Sequence, residues 1–224
     1  MGEISLVILC PVLDRPHRVV PLIESVNACT PDAHLLFLCS YDDRAEIKAV
    51  VQAGAEHVVV PWRAGPADFS RKINLGAQST TEEWIFVGAD DLQFTVGWFE
   101  AALFAHHRTQ ACVVGTNDTH NWRTVSGQHS THFLVHRDYL ECGTVDGPGK
   151  ILSECYDHQW CDDECIQTAM WRGTYVHAHQ AIVVHDHPHW GTAPMDGTYS
   201  KATRATAEDQ ALYESRKHLW GRNR

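Results

Sequence analysis

No stretch of this sequence is apolar for long enough to span a bilayer, so a membrane-embedded protein is not expected. The most apolar segment, ISLVILCPVL from residue 4, stops at Pro11, is preceded by Glu3, and lacks a basic leader; it is expected to be a first strand rather than a signal or anchor. Basic charge is also scarce. Eighteen Lys and Arg against 28 Asp and Glu give a formal net charge of -10, which argues against a surface devoted to phosphate backbones and favours a small or neutral substrate. A local basic patch survives such an average. The glycine signatures of common nucleotide folds are missing as well: CPVLDRP carries no glycine after the first apolar run, and no G-x-G-x-x-G or Walker motif follows it. A dinucleotide-dependent oxidoreductase and a P-loop enzyme are thereby disfavoured.

Two residue types are abundant. Eight cysteines lie partly inside apolar runs with no secretory segment before them, and are expected to be reduced thiols of a cytoplasmic protein, or of a host cytoplasm were the source viral. Sixteen histidines are present, five of them between 177 and 189, where alternation along a strand would put alternate members on one face. The length suits a single domain, and the chain from 4 to 60 repeats apolar run, loop and helical spacing. Ile4 to Cys10, His34 to Cys39 and His57 to Val60 are expected strands; Val19 to Val26 and Ala45 to Ala53, closed by Gly54, are expected helices. That alternation predicts an α/β fold with a mostly parallel sheet flanked by helices.

Further along, Phe69, Ile73 and Ala77 share a helical face, leaving Arg71, Lys72 and Asn74 to face elsewhere. EEWIFVGADDLQF follows, an apolar strand ending in Asp90 and Asp91, where α/β sheets place ligands. Val96 to Phe104 is expected to be helical and Ala111 to Val114 a strand. The polar stretch from 116 to 130 is too long for a tight connection and is expected to be functional or mobile. HFLVHRDYL from 132 is expected to be a strand and a helix start. Asp162, Asp163 and Glu164 precede a helical pattern that Gly173 stops, Tyr175 to Val184 is strand-like, and Lys201 to Leu219 is expected to be one amphipathic helix with a basic end, SRKHLWGRNR.

In this order the features resemble those of family 2 glycosyltransferases with the GT-A (nucleotide-diphospho-sugar transferase-like) fold, over roughly residues 4 to 190. The resemblance rests on CPVLDRP after the first strand, on Asp42 and Asp43 after the second, on RKINLGAQSTTEEWIFVGADD, on the acids at 162 to 164 before a helix, and on AIVV leading into His185 and His187. It implies a GT-A-like catalytic domain over 1–190, with a nucleotide-sugar-binding half (1–115) and an acceptor-side half (116–190), and a C-terminal helical extension over 191–224. The resemblance further implies donor contacts from Pro11, Arg15, Asp42, Asp43, Arg71, Lys72 and Asp90. It implies a Mn²⁺ or Mg²⁺ site at Asp90, Asp91, His185 and His187, and a catalytic base at Asp162 or Asp163. The family's metal motif is Asp-x-Asp, whereas this chain has Gly88, Ala89, Asp90, so the first acid is missing.

The chemistry such a protein performs explains why those residue types recur. Breaking the bond from an anomeric carbon to a diphosphate builds charge that a carboxylate-held divalent ion neutralises, and a hydroxyl nucleophile needs a carboxylate to take its proton. An imidazole ligand favours Mn²⁺ slightly over Mg²⁺. The resemblance implies an inverting transfer from a nucleotide sugar, UDP first among them, to a hydroxyl acceptor the sequence does not name. A hydroxymethylated DNA base is one minority candidate, and it would have to be extruded from the duplex. Competing readings are a nucleotidyltransferase and a non-catalytic sugar-nucleotide or zinc-binding module, the latter through Cys155, His158, Cys161 and Cys165.

Overall fold

The computed structural model describes residues 4–204 and 206–220; Glu3 and the last basic residues, 221–224, lie outside them. Eight strands form one sheet: β1 (Leu6–Val12), β2 (His34–Ser40), β3 (His57–Val60), β4 (Trp84–Val87), β5 (Leu92–Phe94), β6 (Val113–Asn117), β7 (Phe133–His136) and β8 (Tyr175–His185). Their order across the sheet is β3-β2-β1-β4-β7-β6-β8-β5. The first four strands are parallel, as the alternating pattern predicts, and so are β6 and β8. β7 runs against both its neighbours, and β5 runs against β8.

The α-helices of the described chain are α1 (Val19–Cys29), α2 (Arg44–Gln52), α3 (Asp68–Ser79), α4 (Trp98–Thr109), α5 (Trp122–Val125), α6 (Tyr139–Cys142), α7 (Cys161–Trp171), α8 (Gly197–Ala202) and α9 (Thr206–Arg216). Each face of the sheet carries its own core. Val19, Leu22 and Val26 of α1 and Trp98 of α4 pack with Phe37, Trp84 and Phe86 on one face. Ile73 and Ala77 of α3, Ile166 and Ala169 of α7, and Tyr213 of α9 pack with Val7, Leu9 and Phe133 on the other. Burying both faces explains the near-continuous apolar runs of β1, β2 and β4. Among the described residues no helix is long and apolar enough to cross a membrane.

Local signals account for several helix ends. Asp43 accepts the Glu46 amide as the N-cap of α2, and Gly54 and Gly173, both at positive φ, follow α2 and α7. Three expectations are corrected. The helix expected from Val96 starts at Trp98, after Gly97 in the left-handed region. Separately, the stretch 116–130, expected to be functional or mobile, holds the end of β6 and the short helix α5. In place of the single C-terminal helix expected from Lys201, α8 ends at Ala202 and α9 runs over Thr206–Arg216. Finally, the expected alternation of the five histidines fails because β8 bulges: Gly115 pairs with His177 but Asn117 with Ile182, so two steps along β6 match five along β8. The bulge reverses the facing, and His185 emerges on the opposite side of the sheet from His177.

Candidate active site

The carboxyl ends of β1 and β4, the start of β7, the end of β8 and the loop before α7 surround a cavity of about 530 Å³. Asp90 and Asp91 line it, after Gly88 and Ala89 at the end of β4, and both are buried. Two adjacent buried carboxylates require cations, and Arg15, from the loop after β1, supplies one: its Nη1 is 3.0 Å from Asp90 Oδ1 and 3.2 Å from Asp91 Oδ2. The other side of the guanidinium meets Asp196 at 2.8 Å, and its carbon lies 3.8 Å from the Tyr199 ring centroid. The Tyr199 hydroxyl donates to Asp91 Oδ2 at 2.7 Å. Burial acts to lower the Arg15 pKa, but Asp196, Asp90 and Asp91 together hold it firmly charged.

The two carboxyls titrate in opposite directions. Burial, then the charge of Asp91, pushes Asp90 up to about 7 against the pull of Arg15. Burial pushes Asp91 the same way, but His185 and the Tyr199 hydroxyl hold it below the usual carboxylate range. His185 Nε2 lies 3.4 Å from Asp91 Oδ1, and although burial opposes it, that carboxylate raises the imidazole pKa. His132 sits edge-on to His185, with 4.8 Å between ring centroids. Burial, then His185, lowers its pKa to about 4, so it is neutral.

Asp91, His132 and His185 each present one donor atom within 4.8 Å of the others. Asp91 Oδ1 and His132 Nε2 are buried without a hydrogen-bond partner. Orphaned buried acceptors converging in this way fit a divalent cation. Asp90 takes no part in that group, being tied to Arg15, and His187, also expected as a ligand, instead packs edge-on to Tyr199 and His185.

A second group forms at the start of α7. Asp162 lines the same cavity, and His129 Nε2 is 3.3 Å from its Oδ2. Asp163 turns away from the cavity to Arg123 of α5, with His129 Nδ1 at 3.7 Å. Burial acts to raise Asp162, but His129 holds it low; burial and the Asp162 charge raise Asp163. His129 is itself raised by Asp162 against the effect of burial.

No protein-family model and no curated protein matches the chain. Solved structures do. A mannosyltransferase from Pyrobaculum calidifontis, solved with GDP-Man and Mn²⁺, aligns with a TM-score of 0.71 at 11% identity over 95% of this chain and 63% of its own. Glucosyl-3-phosphoglycerate synthase from Mycobacterium tuberculosis, solved with Mn²⁺, UDP-Glc and phosphoglyceric acid, aligns at 0.62 and 13% over 96% of this chain and 80% of its own. TarS 1–349 of S. aureus aligns at 0.59 and 10% over 81% of this chain and 60% of its own. The chain has the GT-A fold. It spans less than two thirds of the mannosyltransferase.

On this GT-A scaffold, Pro11, Arg15, Lys72, Asp90, Asp91, Asp162, His185 and His187 line the cavity. Lys72, expected at the diphosphate, is buried, donates to the Val12 carbonyl at 2.9 Å and pairs with Asp68 at 2.7 Å. The remaining expected residues are placed elsewhere: Arg71 stacks on Trp62, Asp43 caps α2 and accepts the Asp14 amide, and Asp42 is exposed beside Arg63. Cys155, His158, Cys161 and Cys165 do not converge as metal ligands. His132, directly before β7, His129, four positions before it, and Arg123, Asp196 and Tyr199 were not legible as site residues. Of the basic end, the described Arg216 binds Glu164 and Asp146, and Lys217 pairs with Glu214.

Proposed function

We propose that the chain is an inverting, metal-dependent glycosyltransferase that moves a sugar from a nucleoside diphosphate sugar to an acceptor hydroxyl. The observation carrying this reading is a single cavity lined both by the converging Asp91, His132 and His185 and by the ionised Asp162. The solved neighbours with bound Mn²⁺ and nucleotide sugars support it. In this reading the 1–115 half holds the donor, residues 116–190 form the acceptor side, and Tyr199 and its neighbours close the cavity. A divalent cation held by Asp91 and His185 would neutralise charge on the leaving diphosphate as a Lewis acid.

The chain's own residues do the rest. Arg15 keeps the two acids in place and adds positive charge near the phosphates, and Lys72 adds more from the floor. Asp162 takes the proton of the acceptor hydroxyl as its oxygen attacks the anomeric carbon from the face opposite the diphosphate. The carbon–oxygen bond to the diphosphate breaks with its electron pair leaving on the phosphate, and the anomeric centre inverts. His129 keeps Asp162 ionised and oriented for that step; Asp163, bound to Arg123, holds His129 from behind.

The test is binding and turnover with UDP-Glc, GDP-Man and related donors in Mn²⁺, Mg²⁺ or chelator. Asp162→Asn is expected to keep donor binding and lose ~10²–10⁴-fold in turnover, the usual contribution of a general base. Asp91→Asn is expected to lose metal-dependent donor binding. Failure of every donor to bind under any of these conditions would sink the reading.

A further inference from the structure

His132 begins where the sequence motif is incomplete. Val87 pairs with Phe133 across the antiparallel β4–β7 ladder, so one step further His132 stands across from Gly88, the position where the first acid of the motif is missing. That position has no room for an acid: a Cβ built on Gly88 would lie 2.9 Å from the Leu9 carbonyl oxygen, in the backbone of the neighbouring strand. The Gly88 amide also donates to that carbonyl at 3.0 Å, which holds the two strands together there. The backbone excludes the side chain, and the facing strand brings an imidazole instead.

The ring is set up to coordinate. Its Nδ1 lies 3.1 Å from the Val87 carbonyl, a contact only a protonated nitrogen makes favourably, so the Nδ1–H donates and the Nε2 lone pair is free. Ser130 Oγ, which also contacts Thr116, donates to the His132 carbonyl at 2.6 Å and anchors the backbone. His132 is 6% exposed and its Nε2 has no partner. Arg15 and Tyr199 both engage Oδ2 of Asp91, leaving Oδ1 with no hydrogen bond and only His185 Nε2, at 3.4 Å, beside it.

We propose that His132 replaces the missing acid as a metal ligand, completing with Asp91 and His185 a two-imidazole, one-carboxylate site that selects a transition ion over Mg²⁺. The inference deepens the glycosyltransferase reading and rests on it. Magnesium favours all-oxygen surroundings and loses water reluctantly, whereas Mn²⁺, Co²⁺ and Zn²⁺ accept imidazole nitrogen readily. An Asp-x-Asp site with the acid at 88 would present one nitrogen at most from this group; here there are two.

The test uses the metal alone. Mn²⁺ is titrated into the metal-stripped full chain by EPR and calorimetry, and the bound ion is examined by pulsed EPR with and without ¹⁵N-histidine labelling. Two histidine nitrogen couplings are expected in the unaltered chain, one in His132→Asn and one in His185→Asn. Each substitution is expected to weaken Mn²⁺ binding by at least about tenfold, and Mg²⁺ is expected to compete only in at least about hundredfold excess. A single nitrogen coupling in the unaltered chain needs no variant to read and would overturn the assignment of His132. Mg²⁺ competing at parity would overturn the selectivity. Either result leaves the glycosyltransferase reading intact if a nucleotide sugar still binds, whereas loss of donor binding in the separate panel overturns that reading itself.

Discussion

Glu46 is fully buried on α2, and its Oε2 accepts the backbone amide of Arg15 at 2.8 Å while Oε1 has no partner. Burial, offset in part by that amide, pushes its pKa up to about 7. Between the ordinary carboxylate range and about 7 the folded chain therefore holds a proton that the unfolded chain releases. Its contribution to stability is present below that window and is lost as pH rises through about 7. Glu46→Gln keeps an acceptor for the Arg15 amide and removes the titration. Denaturation of both proteins from pH 5 to 8 is expected to show the variant gaining on the native chain as pH rises; parallel curves would show that Glu46 ionises normally. Residue identity made Asp90, Asp91 and Asp162 legible in the sequence, because acids after an apolar run or at a helix start are conspicuous. Glu46 and His132 were not, since what distinguishes them is burial and an unshared lone pair.

At the scale of elements, the loop before α7 owes its shape to α9. Asp209 is buried on that helix and its carboxylate accepts the amides of Asp157, His158 and Gln159 at 2.8, 2.9 and 2.8 Å. Those three residues line the cavity. Asp209→Ala leaves all three amides without their acceptor and is expected to cost about 2–4 kcal/mol in chemical denaturation, with faster amide exchange at 157–159. Asp209→Asn keeps one acceptor oxygen and is expected to recover part of that loss. No change in exchange at 157–159 would mean the loop holds itself. The helical period, caps and stop glycines placed most elements correctly, but β5 escaped notice: three residues directly after two acids give no readable alternation. The β8 bulge was equally hidden, since its register is set by β6 and not by its own sequence.

Across the whole molecule, the segment after β8 comes back over the site. Asp196 caps α8, accepting the Tyr199 amide at 2.9 Å, and binds Arg15 from 181 residues away in sequence. Thr198 donates to the Leu13 carbonyl and Lys201 pairs with Asp14. Asp196→Asn retains the cap and gives up the charge; it is expected to speed amide exchange in α8 five- to thirtyfold, for a loss of about 1–2 kcal/mol, with the melting transition barely moved. Unchanged exchange would show that Tyr199 and Lys201 hold α8 without it. The parallel half of the sheet was readable from strand and helix alternation. The closure by 196–204 was not, because pairing across that separation leaves no pattern in either stretch.

The bridge from Arg15 to Asp196 also bears on the order in which the chain matures. Residues 6 to 87 supply four neighbouring parallel strands and their covering helices from contacts close in sequence. On a ribosome that layer can assemble early, but Asp90 and Asp91 then have only Arg15 to balance two charges. Their remaining partners, His132, His185 and Tyr199, emerge some 40 to 110 residues later. The cavity is therefore the last region to set, and a chain stalled before residue 185 would carry the four-stranded parallel layer with two acids beside it that Arg15 alone only partly balances.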